Sequence, residues 1–569
     1  MTAFLTDNLP LLTGAPNGAK KLRELILQLA VMGKLVPQDP SDEPASELLK
    51  RIAEGKARLV AEGKIKRQKP RAHITETEAP FDLPKDWQWA RLGDLSELIT
   101  SGSRDWAQHY SNEGAIFVRM GNLSRGSYEL RLNSIQRVSP PENGEGSRTK
   151  LEPGDLLLSI TGDVGLLGLI PENFGEAYIN QHVCLIRFIS SVRGRFLPEA
   201  LRSPLAYKQY EAPQRGIKNS FRLGDVSDIL VPLPPLAEQH RIVAKVDELM
   251  ALCDRLEAQQ ADTESAHTQL VQALLDSLAQ SSDADEFAAN WKRLAEHFHT
   301  LFTTESSIDA LKQTLLQLAV MGKLVPQHPN DEPASELLKR IAEEKSRLVT
   351  EGKIKRQKPL PEINEEDKPF QLPKSWIWTR LGNLAGLITS GSRDWAQHYS
   401  EEGAIFVRMG NLSRRSYELR LNNIQRVSPP EDGEGSRTKL EAGDLLISIT
   451  GEVGLLGLIP DGFGEAYINQ HVCLVRFVRQ LQGRFLPEIL RSPLAYDQYE
   501  APQRGIKNSF RLTDVSEMLV PLPPLSEQHR IVAKVDQLMA LCDQLKIRLA
   551  QARQLNEQLA STLVEQAVA

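Results

Sequence analysis

Apolar residues recur at helical spacing near the start of the chain. Leu22, Leu25, Ile26 and Leu29 share one face of a helix predicted over Lys20 to Met32, with Gly33 as its stop. Ser41 is the expected start of a second helix, with Glu43 and Pro44 in its opening turn, Leu48, Leu49 and Ile52 as its stripe, and an end near Glu62 before Gly63. The stretch KIKRQKPRAHITETEAPFDLP is basic, proline-dotted and poor in apolar residues, and reads as an extended linker. Beyond it the periodicity changes. LPKDWQWARLGDL places Trp87 and Trp89 on one face of a short strand, as core anchors. GDLLLSITGDVGLLGLI and EAYINQHVCLIRFI carry apolar and β-branched runs broken by Gly and Asp, the texture of a mixed α/β domain with an antiparallel or mixed sheet. From Leu236 the spacing is helical again: Ile242, Val246, Leu249, Cys253 and Leu256 form a heptad seam that wants a partner helix. As one helix, Leu236 to Gln280 would reach ~68 Å, a ruler between two globular modules.

The same patterns then occur again. Gln28 to Asp254 aligns with Gln317 to Asp543 without a gap, at an offset of 317 − 28 = 289, with 41 differences over 227 positions. A unit this long is a domain-sized module, so the chain is a two-copy pseudo-dimer. The second seam runs Ile531, Val535, Leu538, Cys542 and Leu545 and continues with Leu549, Leu559 and Leu563, so the two seams can satisfy each other. The copies have drifted unevenly. Arg71 to Thr100 holds 14 changes in 30 positions, whereas Ser101 to Val138 holds 3 in 38: Asn112 against Glu401, Gly126 against Arg415, and Ser134 against Asn423. The dodecapeptide TSGSRDWAQHYS is unchanged at Thr100 to Ser111 and Thr389 to Ser400. Either the clustering is chance after a recent duplication, or both segments do the same job.

Composition narrows the function. At 569 residues, 41% hydrophobic and 25% charged, the chain should fold as several soluble domains. With no membrane-length apolar run and no signal-like N-terminus it is expected to be cytoplasmic, with no membrane partner. Cys184, Cys253, Cys473 and Cys542 have no metal-ligand spacing; Cys253 and Cys542 sit in the seams as small core residues, and no metal site or disulfide is expected. A net charge of −6 confines any nucleic-acid surface to local patches. Phosphate loops, dinucleotide fingerprints, HExxH, GxSxG and the Asn/Asp-Pro-Pro-aromatic signature of amino-methyltransferases are all missing, so nothing looks catalytic. Glu54 and Lys56 have nuclease-like spacing, but a predicted surface helix and the counterpart Glu343-Glu344-Lys345 favour a solvated charge pattern.

What is present suits recognition. TSGSRDWAQHYSNEGAIFVRMGNLSRGSYELR interleaves arginines with aromatic and amide side chains, the mix that pairs with base edges and phosphates. The candidate DNA-reading set is Arg104, Trp106, Gln108, His109, Tyr110, Arg119, Asn122 and Arg125, with Arg393, Trp395, Gln397, His398, Tyr399, Arg408, Asn411 and Arg414 in the second copy. Arg415 adds a contact that would break the symmetry. In RSPLAYKQYEAPQRGIKNSFR, 5 basic residues face 1 acidic, making Lys218, Asn219 and Arg222, with Lys507, Asn508 and Arg511, candidates for a phosphate-facing edge. The competing reading is a polar loop whose arginines pair with local carboxylates.

LPPLAEQHRIVAKVDELMALCDRLE and LPPLSEQHRIVAKVDQLMALCDQLK resemble the helix that follows each target-recognition domain in the specificity subunits of type I restriction-modification enzymes. LQLAVMGKLVPQ with SELLKRIAEEKSRLVTEGKIKRQK is similar to the helical region before such a domain, LPKSWIWTRLGNL to its entry, and GDLLISITG with GIKNSFRL to its later strands. The resemblance covers nearly the whole chain. It implies a noncatalytic α+β protein in which two tandem mixed α/β target-recognition domains are separated by two long antiparallel coiled-coil helices with pseudo-twofold symmetry. The expected divisions are an N-terminal helical region and linker (1–79), recognition domain 1 (80–235), first spacer helix (236–280), central helical region and linker (281–368), recognition domain 2 (369–524) and second spacer helix (525–569). Implied partners are double-stranded DNA, two modification subunits and restriction subunits. The chain itself needs no cofactor; S-adenosylmethionine, ATP and Mg belong to the partners, which methylate adenine and cleave DNA. Recognition domains in one such subunit usually differ, whereas these are nearly the same, so the expected target is an inverted repeat with a nonspecific gap. The alternatives are a coiled-coil adaptor of a related phage-defence complex without base readout, and a methyltransferase with a fused catalytic domain, which the missing motifs oppose.

Overall fold

The computed structural model describes residues 14–67, 71, 73–140, 146, 149–212, 220–429, 435–501 and 509–568. Contacts divide the chain into two units, 1–262 with 552–569, and 263–551. Among the described residues no helix is long and apolar enough to cross a membrane.

The first unit opens with helices α1 (Gly18–Val31) and α2 (Ala45–Ala61). Gly33 ends the first helical segment with φ +69°, and a Cβ there would stand 2.5 Å from Pro84, so both conformation and space demand glycine. Ser41 does not cap α2. Its amide and hydroxyl are spent on Asp39, and the helix waits until Ala45, after an extended Pro44. Lys56 is not the solvated charge expected of it: its ammonium donates to the carbonyls of Gly93 (2.8 Å) and Asp94 (3.3 Å), and burial lowers its pKa.

The domain that follows contains β1 (Gln88–Arg91), β2 (Ser96–Ser101), β3 (Tyr110–Ser111), β4 (Ala115–Val118), β5 (Gln136–Val138), β6 (Leu156–Ser159), β7 (Leu167–Leu169), β8 (Ala177–Ile179) and β9 (Val183–Phe188). It closes with helices α3 (Phe196–Leu201), α4 (Pro204–Glu211) and α5 (Leu223–Asp228), then β10 (Leu230–Leu233), which pairs antiparallel with β1. One sheet has the order β2-β9-β6-β7 and is antiparallel; the other has the order β3-β5-β4-β8, with β4 and β8 parallel. Strands β6 and β9 are buried on both faces, which explains their unbroken apolar runs. Leu156, Leu158, Cys184 and Ile186 face the helices, while Leu157, Val183 and Leu185 face Val118, Ala177 and Ile179 of the second sheet. The layers are therefore helices, the longer-stranded β2-β9-β6-β7 sheet (the large sheet) and the shorter-stranded β3-β5-β4-β8 sheet (the small sheet).

Helix α6 (Leu236–Ala279) begins in the first unit and ends in the second. Its seam residues Ile242, Val246, Leu249 and Cys253 bury in the first unit's own core, together with α1 and α3. Trp87 ties the joint: its indole donates to Glu238 (2.9 Å), Gln38 donates to the other oxygen (2.6 Å), and burial pushes that carboxyl above the usual range. Residues 257–266, EAQQADTESA, are exposed throughout, as expected of a helical stretch with no apolar stripe. Val271, Leu275 and Leu278 then enter the core of the second unit. The helix Leu525–Val568 does the converse, with Ile531, Val535, Leu538 and Cys542 in the second unit's core and Ala560 and Ala567 in the first. The exchanged positions correspond at the repeat offset, 560 − 289 = 271 and 567 − 289 = 278. Leu559, expected in the seam, is 44% exposed because the adjacent Ala560 takes the inward position.

A polar network joins the β4–β5 connection to α6. The Tyr128 hydroxyl donates to buried Glu199 (2.9 Å) and accepts from Arg195 (2.8 Å), whose guanidinium grips Asp247 through both terminal nitrogens (2.7 and 2.6 Å). Tyr417, Glu488, Arg484 and Asp536 repeat it. Burial, then the neighbouring Glu199 carboxylate, pushes the Tyr128 phenol up to about 12.

Leu275→Ala is expected to cost about 2–5 kcal/mol in denaturant unfolding, whereas Leu274→Ala, at a partly exposed neighbour, should cost less than about 1. Tyr128→Phe should cost about 1–2 kcal/mol and remove one late phenol from a spectrophotometric titration. Because the folded phenol's pKa is raised, its stabilising share is whole below the ordinary tyrosine value near pH 10 and is lost as pH rises through about 12.

Candidate nucleic-acid interface

The repeated dodecapeptide is a structural device that carries a few outward side chains. After β2, Gly102 passes so close to the chain leaving β8 that its amide donates to Asn180 (3.2 Å), and a Cβ would stand 2.0 Å from the Ile179 carbonyl. Ser103 bridges to Asn180, Asp105–His109 forms a 3-10 turn, and β3 pairs with β5 through Tyr110 and Val138. The turn is held down by Trp106. Its indole is buried against Phe117 (5.2 Å between ring centroids) and Tyr178 (5.1 Å), and so covers the outer face of the small sheet. Burial, and the Glu176 carboxylate that accepts the phenol's hydrogen bond, hold Tyr178 up at about 12. Trp395 occupies the same position against Phe406 and Tyr467.

This corrects the placement of Trp106 and Trp395 in the DNA-reading set: both are core. Arg104 and Gln108 are exposed, His109 is half-buried edge-on to Trp106, and Tyr110 is 47% exposed. Arg393, Gln397, His398 and Tyr399 follow the same pattern.

Asn122 and Asn411 are likewise internal. The Asn122 carboxamide oxygen accepts from the Arg119 amide (2.9 Å), and its nitrogen donates to the carbonyls of Arg131 (2.9 Å) and Ser134 (3.1 Å). Asn411 makes the same three bonds to Arg408, Arg420 and Asn423. Each carboxamide is fully used in folding its loop and is not available to an adenine. Arg125 pairs with Asp163 and lies over the Tyr207 ring at 5.4 Å; Arg414 pairs with Glu452 (3.0 Å) and lies over Tyr496 at 5.6 Å. Their charge is locally neutralised. Arg415, expected to add a DNA contact, ion-pairs with Asp309 (2.9 Å) on the helix Glu305–Val320. Arg222 and Arg511 are exposed at the starts of short helices, while Lys218, Asn219, Lys507 and Asn508 lie outside the described residues.

What the Asn122 knot builds is a cleft of about 550 Å³, whose walls include Arg119, Arg131, Asn133, Ser134, Asn180 and His182. Its counterpart, of about 540 Å³, includes Arg408, Arg420, Asn422, Asn423, Asn469 and His471. Two guanidiniums and several amides converge there, and among the described residues no carboxylate lines either cleft. Such a surface presents donors and acceptors to an anionic, hydrogen-bonding ligand. His182 is set by Thr161, whose hydroxyl lies 2.6 Å from Nδ1. Asn180 joins this cleft to the dodecapeptide, since Gly102 and Ser103 are bonded to it. Arg119 was anticipated as a site residue, but Asn133, Asn180 and His182 were not. The signal for Asn180 and His182 was the tripeptide NQH, a polar interruption between two apolar strands, unchanged in both copies. Among the described residues no cluster of His, Cys, Asp and Glu could hold a metal ion.

The family model described as the type I restriction modification DNA specificity domain matches residues 84–263 and again 373–552. Along 97% of its length the chain is 39% identical to the type I restriction enzyme EcoAI specificity subunit of Escherichia coli, covering 94% of that protein. It is 36% identical to the EcoEI specificity subunit of the same organism, again over 97% of the chain and 94% of the relative. A solved chain from a study of complex assembly and conformational transition of the type I R-M system shares the fold, with a TM-score of 0.51 at 20% identity over 86% of this chain and 99% of that one. With two copies of the domain and near full-length likeness to proteins named for specificity rather than catalysis, this chain belongs to the type I restriction-modification DNA specificity subunit family.

Proposed function

We propose that each module reads one half of a bipartite DNA target through the cleft of Arg119, Arg131, Asn133, Asn180 and His182 and the adjoining exposed side chains Arg104, Gln108 and Tyr110. The second module uses the residues 289 positions on. The observation that carries this reading is the cleft itself: cationic, amide-rich and repeated with nearly the same walls. Arginine and asparagine there can pair bidentately with guanine and adenine edges, while Arg222 and Arg511 suit phosphates.

Because the readers are nearly alike, the target is an inverted repeat with a nonspecific gap. The chain works without a cofactor of its own, and docks two modification subunits that use S-adenosylmethionine to methylate adenine. Restriction subunits using ATP and Mg join the same complex.

The test is to reconstitute the chain with its modification subunits and map methylated adenines genome-wide. Two halves related by a twofold axis are expected; two unrelated half-sequences would refute the inverted repeat. Replacing Arg131 and Arg420 together by alanine should reduce discrimination between target and off-target DNA by ~1–3 kcal/mol per lost bidentate contact. The same loss is expected from Arg104→Ala with Arg393→Ala. Full target preference in both double variants would show that these arginines do not read bases.

A further inference from the structure

The two clefts are not quite identical. Of the nine residues that line each, eight correspond without change, and the exception is Ser134 in the first against Asn423 in the second. Both side chains are exposed on the cleft wall, while their carbonyls are pinned by Asn122 (3.1 Å) and Asn411 (3.3 Å). The position is thus held by the fold and free at its tip.

The other two differences in this segment lie elsewhere. Asn112 and Glu401 sit in the turn between the third and fourth strands of their module, and Arg415 is engaged with Asp309. Among the described residues, position 134/423 is therefore the one at which the walls of the two clefts differ chemically. A carboxamide presents a donor and an acceptor side by side, matching the N6 and N7 edge of adenine, whereas a hydroxyl can donate to or accept from any base.

We propose that position 134/423 is a specificity determinant that makes the two half-site readers unequal: Asn423 demands adenine at one base pair, and Ser134 tolerates other bases at the equivalent place. The inference rests on the reading of the clefts as the base-contacting surface.

The consequence for a symmetric target is distinctive, because the complex can bind it in either orientation. With the base pair substituted in one half only, the tolerant module takes the altered half and methylation persists. With both halves substituted, Asn423 must meet a wrong base. The experiment measures methylation rates of the reconstituted methyltransferase on the symmetric target and on single-half and double-half substitutions at each base pair. At one base pair the wild type should lose little on single substitution and about tenfold on double substitution. Ser134→Asn should lose about tenfold on single substitution already, and Asn423→Ser should keep its rate on the doubly substituted target. Each variant installs a residue that the other module already carries at that place, so folding is not at stake. If double substitution always costs the square of single substitution, or if the exchanges leave both profiles unchanged, this proposal is overturned while the inverted repeat stands. If mapping returns two unrelated half-sequences, the parent reading falls and takes this proposal with it.

Discussion

The fold of each module depends on a pair of strands that have no solvent face. Leu157 and Leu185 pack outward onto the small sheet while their neighbours Leu156, Leu158, Cys184 and Ile186 pack inward onto helices, so one pair of strands organises both layers. Removing either layer would leave an apolar face open to water. This two-sided burial makes the recognition domain inseparable from the helices that flank it in sequence, and it brings α1, α3 and the start of α6 into one core. The small sheet, carried on the far side, is where the chain can present side chains without disturbing that core.

Polar groups set the geometry that apolar burial leaves undefined. A carboxamide at Asn122 folds the loop around itself, and the phenol of Tyr128 anchors the same loop to Glu199 and Arg195, and through them to Asp247 of the long helix. Asn122 and Glu199 are buried and Tyr128 is half-buried, whereas the Arg195–Asp247 pair is exposed, so moving the loop would strand the inner hydrogen bonds in a low-dielectric site. The cleft walls are therefore pre-set, which lowers the ordering cost of binding.

The long-range organisation was legible in the sequence because it leaves periodic traces. The 289-residue offset, the heptad start of the long helix and the alternation of strand-like and turn-like segments are all visible without coordinates. The site was only half legible, and the reason is physical. Trp106, Asn122 and Arg125 have the side-chain chemistry of DNA readers, but whether a tryptophan meets a base or caps a sheet depends on Phe117 and on Tyr178, which lies far along the chain. Arg125 is ion-paired with Asp163, 38 residues away, which no local pattern announces. Conversely, Asn180 and His182 sit in a stretch read only as strand and turn, and become cleft walls because the crossing at Gly102 brings the two segments together.

That crossing bears on how such a protein can change. The turn is fastened at Gly102, at Trp106 and at the pairing of Tyr110 with Val138, and Arg104, Ala107 and Gln108 between these fasteners are exposed. Arg104 and Gln108 can therefore be exchanged without cost to the scaffold, much as teeth are recut on a fixed key blank. Because the blank occurs twice, a lineage that recuts one copy passes first through an asymmetric state. If the proposed inverted-repeat target holds, further unmatched changes in one copy move the reader away from it.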